Sequence, residues 1–355
     1  MWKSTLFTKQ CGIRIPIVQA GMAGSTSPEL VATVSEYGGL GTLGAGYDTP
    51  EQLKNHIKTV KQLTARPFAV NLFVPESVDY QEEDVQKMNA HLKPYLDHLD
   101  LNASYPESHT AAQFESLIDI VIDLEVPICS FTFGIPPAHT IKKLKKQGII
   151  IIGSATSVNE AIENERAGVD SIVAQGGEAG GHRGTFNNTA SPVNIGTMAL
   201  IPQVVDHVSI PVIAAGGIMD GRGVSAAFML GASGVQMGTA FLTTDEAGSK
   251  PVHREALMKH VETETTMTRL YSGKWARGIH TRLIDELRAQ HVEPLPYPIQ
   301  NDLTKNLRKV AAERGYEAWT HLWSGQGLRL SRKMSTQALL ASLECETEET
   351  LGKFQ

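Results

Sequence analysis

The densest chemistry in this 355-residue chain lies in Gln175-Gly176-Gly177-Glu178-Ala179-Gly180-Gly181-His182, directly after the apolar run Ser171-Ile172-Val173-Ala174. Its glycines let the backbone approach a bulky ligand, because no Cβ intervenes and positive φ is tolerated. Successive N–H groups can then face an anion. His182 is the one side chain of the run that exchanges a proton near neutral pH. The segment reads as a cofactor floor with an acid/base group at its rim. A plain glycine turn with a surface histidine is the alternative.

Two further apolar runs end in small residues, Ala215-Gly216-Gly217-Ile218 and Gln236-Met237-Gly238-Thr239-Ala240. Each precedes a helix start, where N–H groups and the helix dipole favour an anion. Together with Gly180 and Gly181 they make three bare stretches of main chain, and a phosphate-bearing cofactor across them is the economical reading. Other run ends carry amides: Gln19-Ala20-Gly21-Met22, Asn71 and Gln175. An amide offers both donor and acceptor, which suits a flat heterocycle. The alternative is that Asn71 and Gln175 tie loops together.

These residues need elements to bring them to one place. Short apolar runs occur at Ile15–Ala20, Gly39–Leu43, Phe68–Leu72, Pro127–Phe131, Ile149–Gly153, Asp170–Ala174, Pro211–Ala215 and Gly234–Met237. They lack alternation, as parallel strands covered on both faces do. Helical stretches follow several of them, at Pro28–Tyr37 with Ser27 as N-cap, at Pro50–Leu63 and at Val158–Ala167. The repetition predicts an α/β fold, a (β/α)8 TIM barrel over residues 1–245, whose active site gathers at the C-terminal strand ends. A doubly wound sheet is the structural competitor. Residues 75–125 read as helices inserted after the third strand, since so long a connection should carry structure of its own. Residues 246–355 read as a C-terminal helical subdomain or lid packed on the barrel, with a Pro-rich break at Pro294-Leu295-Pro296-Tyr297-Pro298.

The net charge of −6, with no clustered Lys/Arg stripe, argues against a nucleic-acid surface. Cys11, Cys129 and Cys345 are sparse and unpaired in spacing, which fits a reducing compartment. Cys129 is the one cysteine in an apolar run, and a buried small hydrophobe is its better reading. No signal-peptide core or membrane-length apolar run is present, so a cytoplasmic location is expected and no membrane partner. Histidines at metal-ligand spacing are lacking, and no metal is expected. Arg183 reads either as an anion-holding neighbour of His182 or as a solvated side chain. Lys274 and Arg277 read as structural or phosphate-proximal. The oligomeric state is not legible in the sequence.

The segments P-I-V-Q-A-G-M, Q-G-G-E-A-G-G-H, A-A-G-G-I and V-Q-M-G-T, with Asn71 between the first and second, resemble the nitronate monooxygenase family, formerly called 2-nitropropane dioxygenases. In the tail, Y-P-I-Q-N-x-L-T and L-W-S-G-Q-G resemble its bacterial class I members. The resemblance implies a barrel holding non-covalent FMN. It implies oxidation of alkyl nitronates, such as the toxin propionate 3-nitronate, by O2 to carbonyl compounds and nitrite, a detoxification. Carried over by position, it sets Asn71, Gln175, Gly180, Gly181, Gly216, Gly217, Gln236, Met237, Gly238 and Thr239 on the FMN. It lays the backbone of Gly21 and Met22 against the flavin ring. His182 becomes the active-site histidine, either a base toward neutral nitroalkanes or, protonated, a holder of the nitronate oxygen. Tyr297 and Lys305 approach the substrate. NADH-dependent FMN reductases, of the enoyl-acyl-carrier-protein reductase or quinone reductase type, carry a similar E-A-G-G-H segment and form the rival reading.

Overall fold

The computed structural model describes residues 2–76, 78–107, 110–186 and 193–353. Eight parallel strands make one sheet: β1 (Ile17–Gln19), β2 (Gly41–Gly44), β3 (Phe68–Phe73), β4 (Ile128–Thr132), β5 (Ile150–Ala155), β6 (Ser171–Gln175), β8 (Val212–Ala215) and β9 (Gly234–Met237). A second, antiparallel sheet contains β7 (Gly181–His182), β10 (Thr265–Thr268) and β11 (Ala276–Ile279).

The large sheet runs in the order β1-β9-β8-β6-β5-β4-β3-β2. Its two end strands meet through a parallel bridge between Val18 and Leu40. Gln19 completes this seam, because its buried side-chain oxygen accepts the Thr42 N–H at 3.0 Å where a ladder carbonyl would otherwise serve. The result is a TIM barrel. Its interior is filled by inward residues such as Val18, Ala69, Ile128, Ile152, Val173 and Ile213, and the N-terminal helix Leu6–Cys11 adds Phe7 and Cys11 to the same cluster. Stacked aliphatic residues from successive strands exclude water from the ring, so the barrel is a core and not a pore.

The helices start where the local chemistry dictates. Ser27 Oγ accepts the Leu30 N–H ahead of Pro28–Tyr37, and Thr49 with Gln52 forms a capping box ahead of Pro50–Leu63. Proline at the first turn of each loses no hydrogen bond there.

The excursion after β3 divides between two layers. Helix Ala111–Asp123 packs through Phe114, Ile118 and Val121 onto the barrel's outer core. Helix Glu82–His98 instead buries Val85, Met88, Leu92 and Leu96 in a separate cluster with Leu270, Tyr271, Leu283, Leu303, Leu307 and Trp319. That cluster is a second core, formed with helices Arg282–Ala289 and Ile299–Glu313. The last helix, Thr336–Gly352, returns to the barrel and adds Leu339, Leu340 and Leu343 to its outer core. Glu344 ties this helix down, with Lys3, Arg14 and the Tyr37 hydroxyl all donating to its carboxylate. No helix among the described residues is long and apolar enough to cross a membrane.

Candidate active site

Ladder register sets the rim. Asn71 lies beside Gly44 and Ser130, and Gln175 lies beside Ala215, which in turn lies beside Gln236. The amides therefore reach the same C-terminal mouth as the glycine segments. Their roles differ. Asn71 Nδ2 donates to Ser130 Oγ at 2.9 Å and Thr132 Oγ1 at 3.1 Å, tying neighbouring strand ends. Gln175 donates to His182 O at 2.9 Å and accepts the Gly184 N–H at 2.8 Å, clamping the glycine loop across its base. The Gln236 side chain makes no hydrogen bond to any described residue, so its amide is open for a ligand.

The glycine loop is braced from behind. Arg183, 2% exposed, donates to Gly176 O at 2.6 Å and Gln175 O at 2.9 Å, and Arg277 Nε donates to Gly177 O at 3.0 Å. Arg183 is thus neither an anion holder nor a solvated side chain; carbonyls of the loop take charge-assisted bonds from both its Nη groups. Burial lowers its pKa to about 10. Glu178 turns back to accept the Thr197 N–H at 2.9 Å and the Thr197 hydroxyl at 2.8 Å, capping helix Thr197–Val205.

Within this scaffold the N–H groups of Gly180, Gly216, Gly217 and Gly238 find no acceptor among the described residues. Gly216 and Gly217 have φ of 116° and 70°, and Gly181 has φ of 73° with no atom within 4 Å of where a Cβ would stand. Unmatched donors beside open, Cβ-free space fit a phosphate. The donors belong to the loops and not to an open helix end: Asp220 already caps helix Gly221–Met229 by accepting the Arg222 and Gly223 N–H groups. Gly180 is covered on one side by Ser324 and Gly325, since a Cβ there would lie 2.4 Å from Gly325 N. Gly325 N–H in turn donates to Thr239 Oγ1 at 3.0 Å. The tail motif containing Trp323 therefore packs against the glycine loop, a contact that pattern reading alone did not provide.

Gly21 packs on the stem of Asn71, where a Cβ would come within 2.8 Å of Asn71 Cβ. The Met22 N–H is taken by Thr26 Oγ1 at 2.9 Å, so Met22 offers a ligand its side chain and the flat of its backbone. Met237 is buried in β9.

His182 stands on β7, whose ladder pairs it with Ala276 of β11. Its ring is boxed by Phe133, Trp323 and Tyr297, with centroids 5.4, 5.4 and 6.4 Å away. Nε2 lies 2.8 Å from Ser272 Oγ. With the Ser272 hydroxyl donating to Lys274 O at 3.3 Å, Nε2 is the donor and Nδ1 keeps the lone pair. Burial, then the positive fields of Arg308 and Lys274, lower the His182 pKa to about 3. The imidazole is neutral at pH near 7. Lys274 itself is buried, pairs with Glu76 at 2.7 Å, and holds its ammonium 4.8 Å from the Phe133 ring centroid.

A cavity of about 570 Å³ opens beyond Tyr297, lined also by Tyr47, Asn301, Lys305, Arg308 and His321. Burial holds the Tyr297 hydroxyl well above its ordinary pKa, so it is a donor. Lys305 reaches this wall with its ammonium paired to Glu107. Cys129 is wholly buried in β4, and burial pushes its thiol up, away from a nucleophilic thiolate. No His, Cys, Asp and Glu grouping suited to a metal ion occurs among the described residues.

Comparison with known proteins shows the family of the chain. A model of the nitronate monooxygenase family matches residues 4–346. A probable nitronate monooxygenase of Staphylococcus haemolyticus is 52% identical over 346 residues, 97% of each chain. The chain belongs to the nitronate monooxygenase family. It is therefore an oxidoreductase, and the family points to a flavin. A Staphylococcus aureus probable nitronate monooxygenase is 50% identical over 97% of each chain. Among solved structures, nitroalkane oxidase from Streptomyces ansochromogenes superposes with a TM-score of 0.93 at 36% identity, covering 98% of this chain and 99% of its own. FabK from Thermotoga maritima superposes with a TM-score of 0.78 at 31% identity, covering 99% and 98%.

Proposed function

We propose that this chain binds FMN and uses O2 to oxidise alkyl nitronates, propionate 3-nitronate among them, to carbonyl compounds and nitrite, removing a toxic substrate. The observation that carries the reading is His182, a neutral imidazole fixed between the braced glycine loop and the rings of Phe133, Trp323 and Tyr297. When bound, the flavin supplies the electron transfer, from the electron-rich nitronate to O2.

The chain's own residues do the rest. N–H groups of Gly180, Gly216, Gly217 and Gly238, with Gly181 and Thr239 beside them, hold the phosphate. Gln236, Asn71 and Gln175 edge the heterocycle, and Gly21, Met22 and Met237 back it. Phe133, Trp323 and Tyr297 exclude water around His182. The Tyr297 hydroxyl donates to the substrate, and Lys305 stands on the outer wall of the pocket. A base with so low a pKa is poorly driven to remove a carbon-bound proton. That favours a substrate already ionised, a nitronate over its neutral nitroalkane. The barrel of residues 1–245 carries the cofactor, and the chain from 246 to 335 covers it, while the last helix packs on the barrel's outside. We place the protein in the cytoplasm, where its free cysteines would stay reduced.

The TM-score of 0.93 against nitroalkane oxidase, higher than the 0.78 against FabK, supports the oxidase reading. The test is nitrite release from propionate 3-nitronate under air, with anaerobic NADH as control. Nitrite formation with no bleaching by NADH is expected. Bleaching by NADH without nitrite formation would assign a reductase.

A further inference from the structure

Arg308 lies on helix Ile299–Glu313 and is 6% exposed. Its Nε donates to Thr304 Oγ1 at 3.1 Å, and Nη2 donates to Asn301 Oδ1 at 2.7 Å and Asn301 O at 3.3 Å. Nη1 has no acceptor among the described residues, and no carboxylate there comes within ion-pair distance of the guanidinium. Asp302, which is near in sequence, uses its carboxylate to accept the Glu107 N–H at 2.9 Å. Asp302 acts on the guanidinium only from beyond ion-pair distance, and a buried charge with no counter-charge in contact is unfavourable unless something arrives to match it.

Arg308 lines the cavity of about 570 Å³ described above. His321 also lines it, and its buried Nδ1 has no hydrogen-bond partner among the described residues. Tyr297 connects this cavity to the reacting end, since it lines the one and its ring lies 6.4 Å from that of His182. The other cation beside the substrate path, Lys305, is already paired with Glu107. Arg308, with its open Nη1 arm, and His321 thus line one cavity, one ring away from His182.

The geometry points to Arg308 as the specificity-determining residue for a second, anionic group on the substrate: a carboxylate takes the open Nη1 arm while the nitronate end lies at His182. This rests on the reading of the site as a nitronate oxidase. It gives recognition of the terminal carboxylate of such a substrate to Arg308 in place of Lys305.

The test uses flavin-loaded enzyme and two probes of equal carbon count, propionate 3-nitronate and the uncharged-tail propyl 1-nitronate. In Arg308→Gln the ratio of kcat/KM for the first over the second should fall about tenfold to a hundredfold, through KM, as expected for one hydrogen bond to a charged group. Arg308→Lys should recover part of the ratio, because it restores a point charge without the fork. Lys305→Gln should shift it less than about threefold, its charge being spent on Glu107. Binding separates this inference from the activity on which it rests. Propionate, which cannot react, should perturb the flavin spectrum of the wild type at concentrations at least about tenfold lower than in Arg308→Gln. If neither nitronate is oxidised but that difference holds, the oxidase reading falls and the anion site stands. If both the kinetic ratio and propionate binding are unchanged in a folded Arg308→Gln, the assignment is overturned. Should that variant not fold, Arg308→Lys decides, and an unaltered KM for propionate 3-nitronate would overturn it.

Discussion

Removing the His182 imidazole should change how many protons the protein takes up when it unfolds. In the folded chain burial and the Arg308 and Lys274 charges hold its pKa at about 3. Released into the unfolded chain, an imidazole titrates at about 6.5. At about pH 5.5 the unfolded ring is roughly nine-tenths protonated and the folded ring is almost wholly neutral, so unfolding takes up about 0.9 proton there. The folded pKa is depressed, so the unfolded state holds more protons between the two values and stability rises with pH through that window. The contribution is intact above about 6.5 and declines as pH falls toward 3. From about pH 7.5 to about pH 5.5 the loss is about 1.4 kcal/mol, and the full difference corresponds to about 5 kcal/mol. His182→Asn should therefore reduce proton uptake on urea unfolding at about pH 5.5 by about 0.9, measured in weakly buffered solution by back-titration. The same pKa predicts that kcat/KM for a preformed nitronate shows no limb near about pH 6.5, since that ratio reports the free enzyme. Equal proton uptake by wild type and His182→Asn, together with a limb near about pH 6.5, would show a charged, solvated histidine and refute the neutral-imidazole account.

Further outcomes follow from the loops and caps. Gly181→Ala places its methyl in open space, so it should cost the apoprotein only about 1 kcal/mol of left-handed strain while weakening flavin binding at least about tenfold in a fluorescence titration. Gly216→Ala puts a Cβ 2.9 Å from Thr197 Oγ1 and 3.2 Å from Gly176 O, so calorimetry should show a larger loss of stability even without cofactor. Glu178→Gln removes the charge from the cap on Thr197, and the apoprotein Tm should fall by a few degrees, for a loss of about 1–2 kcal/mol. Glu344, held at about 2 chiefly by Arg14 and then Lys3 and Tyr37, stabilises the last helix above the unfolded carboxylate pKa and loses that effect as pH falls toward 2. Glu344→Gln should accordingly lower Tm at neutral pH and reduce its fall on acidification, and an unchanged Tm would remove the latch.

The barrel was legible because each of its strands is a short, unalternating aliphatic run stopped by glycine or an amide. The helices Pro28–Tyr37, Pro50–Leu63 and Val158–Ala167 stand at the predicted boundaries, set by Ser27, Thr49 and Ser157 caps. Layer membership was not legible. Helices Glu82–His98 and Ala111–Asp123 are both amphipathic, yet one joins the second core and the other the barrel. Periodicity shows that a face is buried and is silent about its partner. The same limit hid the surroundings of His182. Ser272, Phe133 and Trp323 are distant in sequence; the pairing of β7 with β11 brings Ser272 and Trp323 to the imidazole, and Phe133 reaches it from the end of β4. Arg183 shows the converse: adjacency to His182 suggested a ligand contact, whereas strand alternation turns it into the protein to hold carbonyls. The unmatched arm of Arg308 is a property of packing and leaves no mark in composition or spacing.

The most direct measurement is the absorbance of the purified protein, followed by titration of the apoprotein with FMN. Main chain at Gly180, Gly216, Gly217 and Gly238 with no acceptor of its own should give a yellow protein binding one FMN per chain, displaced by Gly181→Ala. A colourless protein that takes up no added FMN would contradict the account at its base.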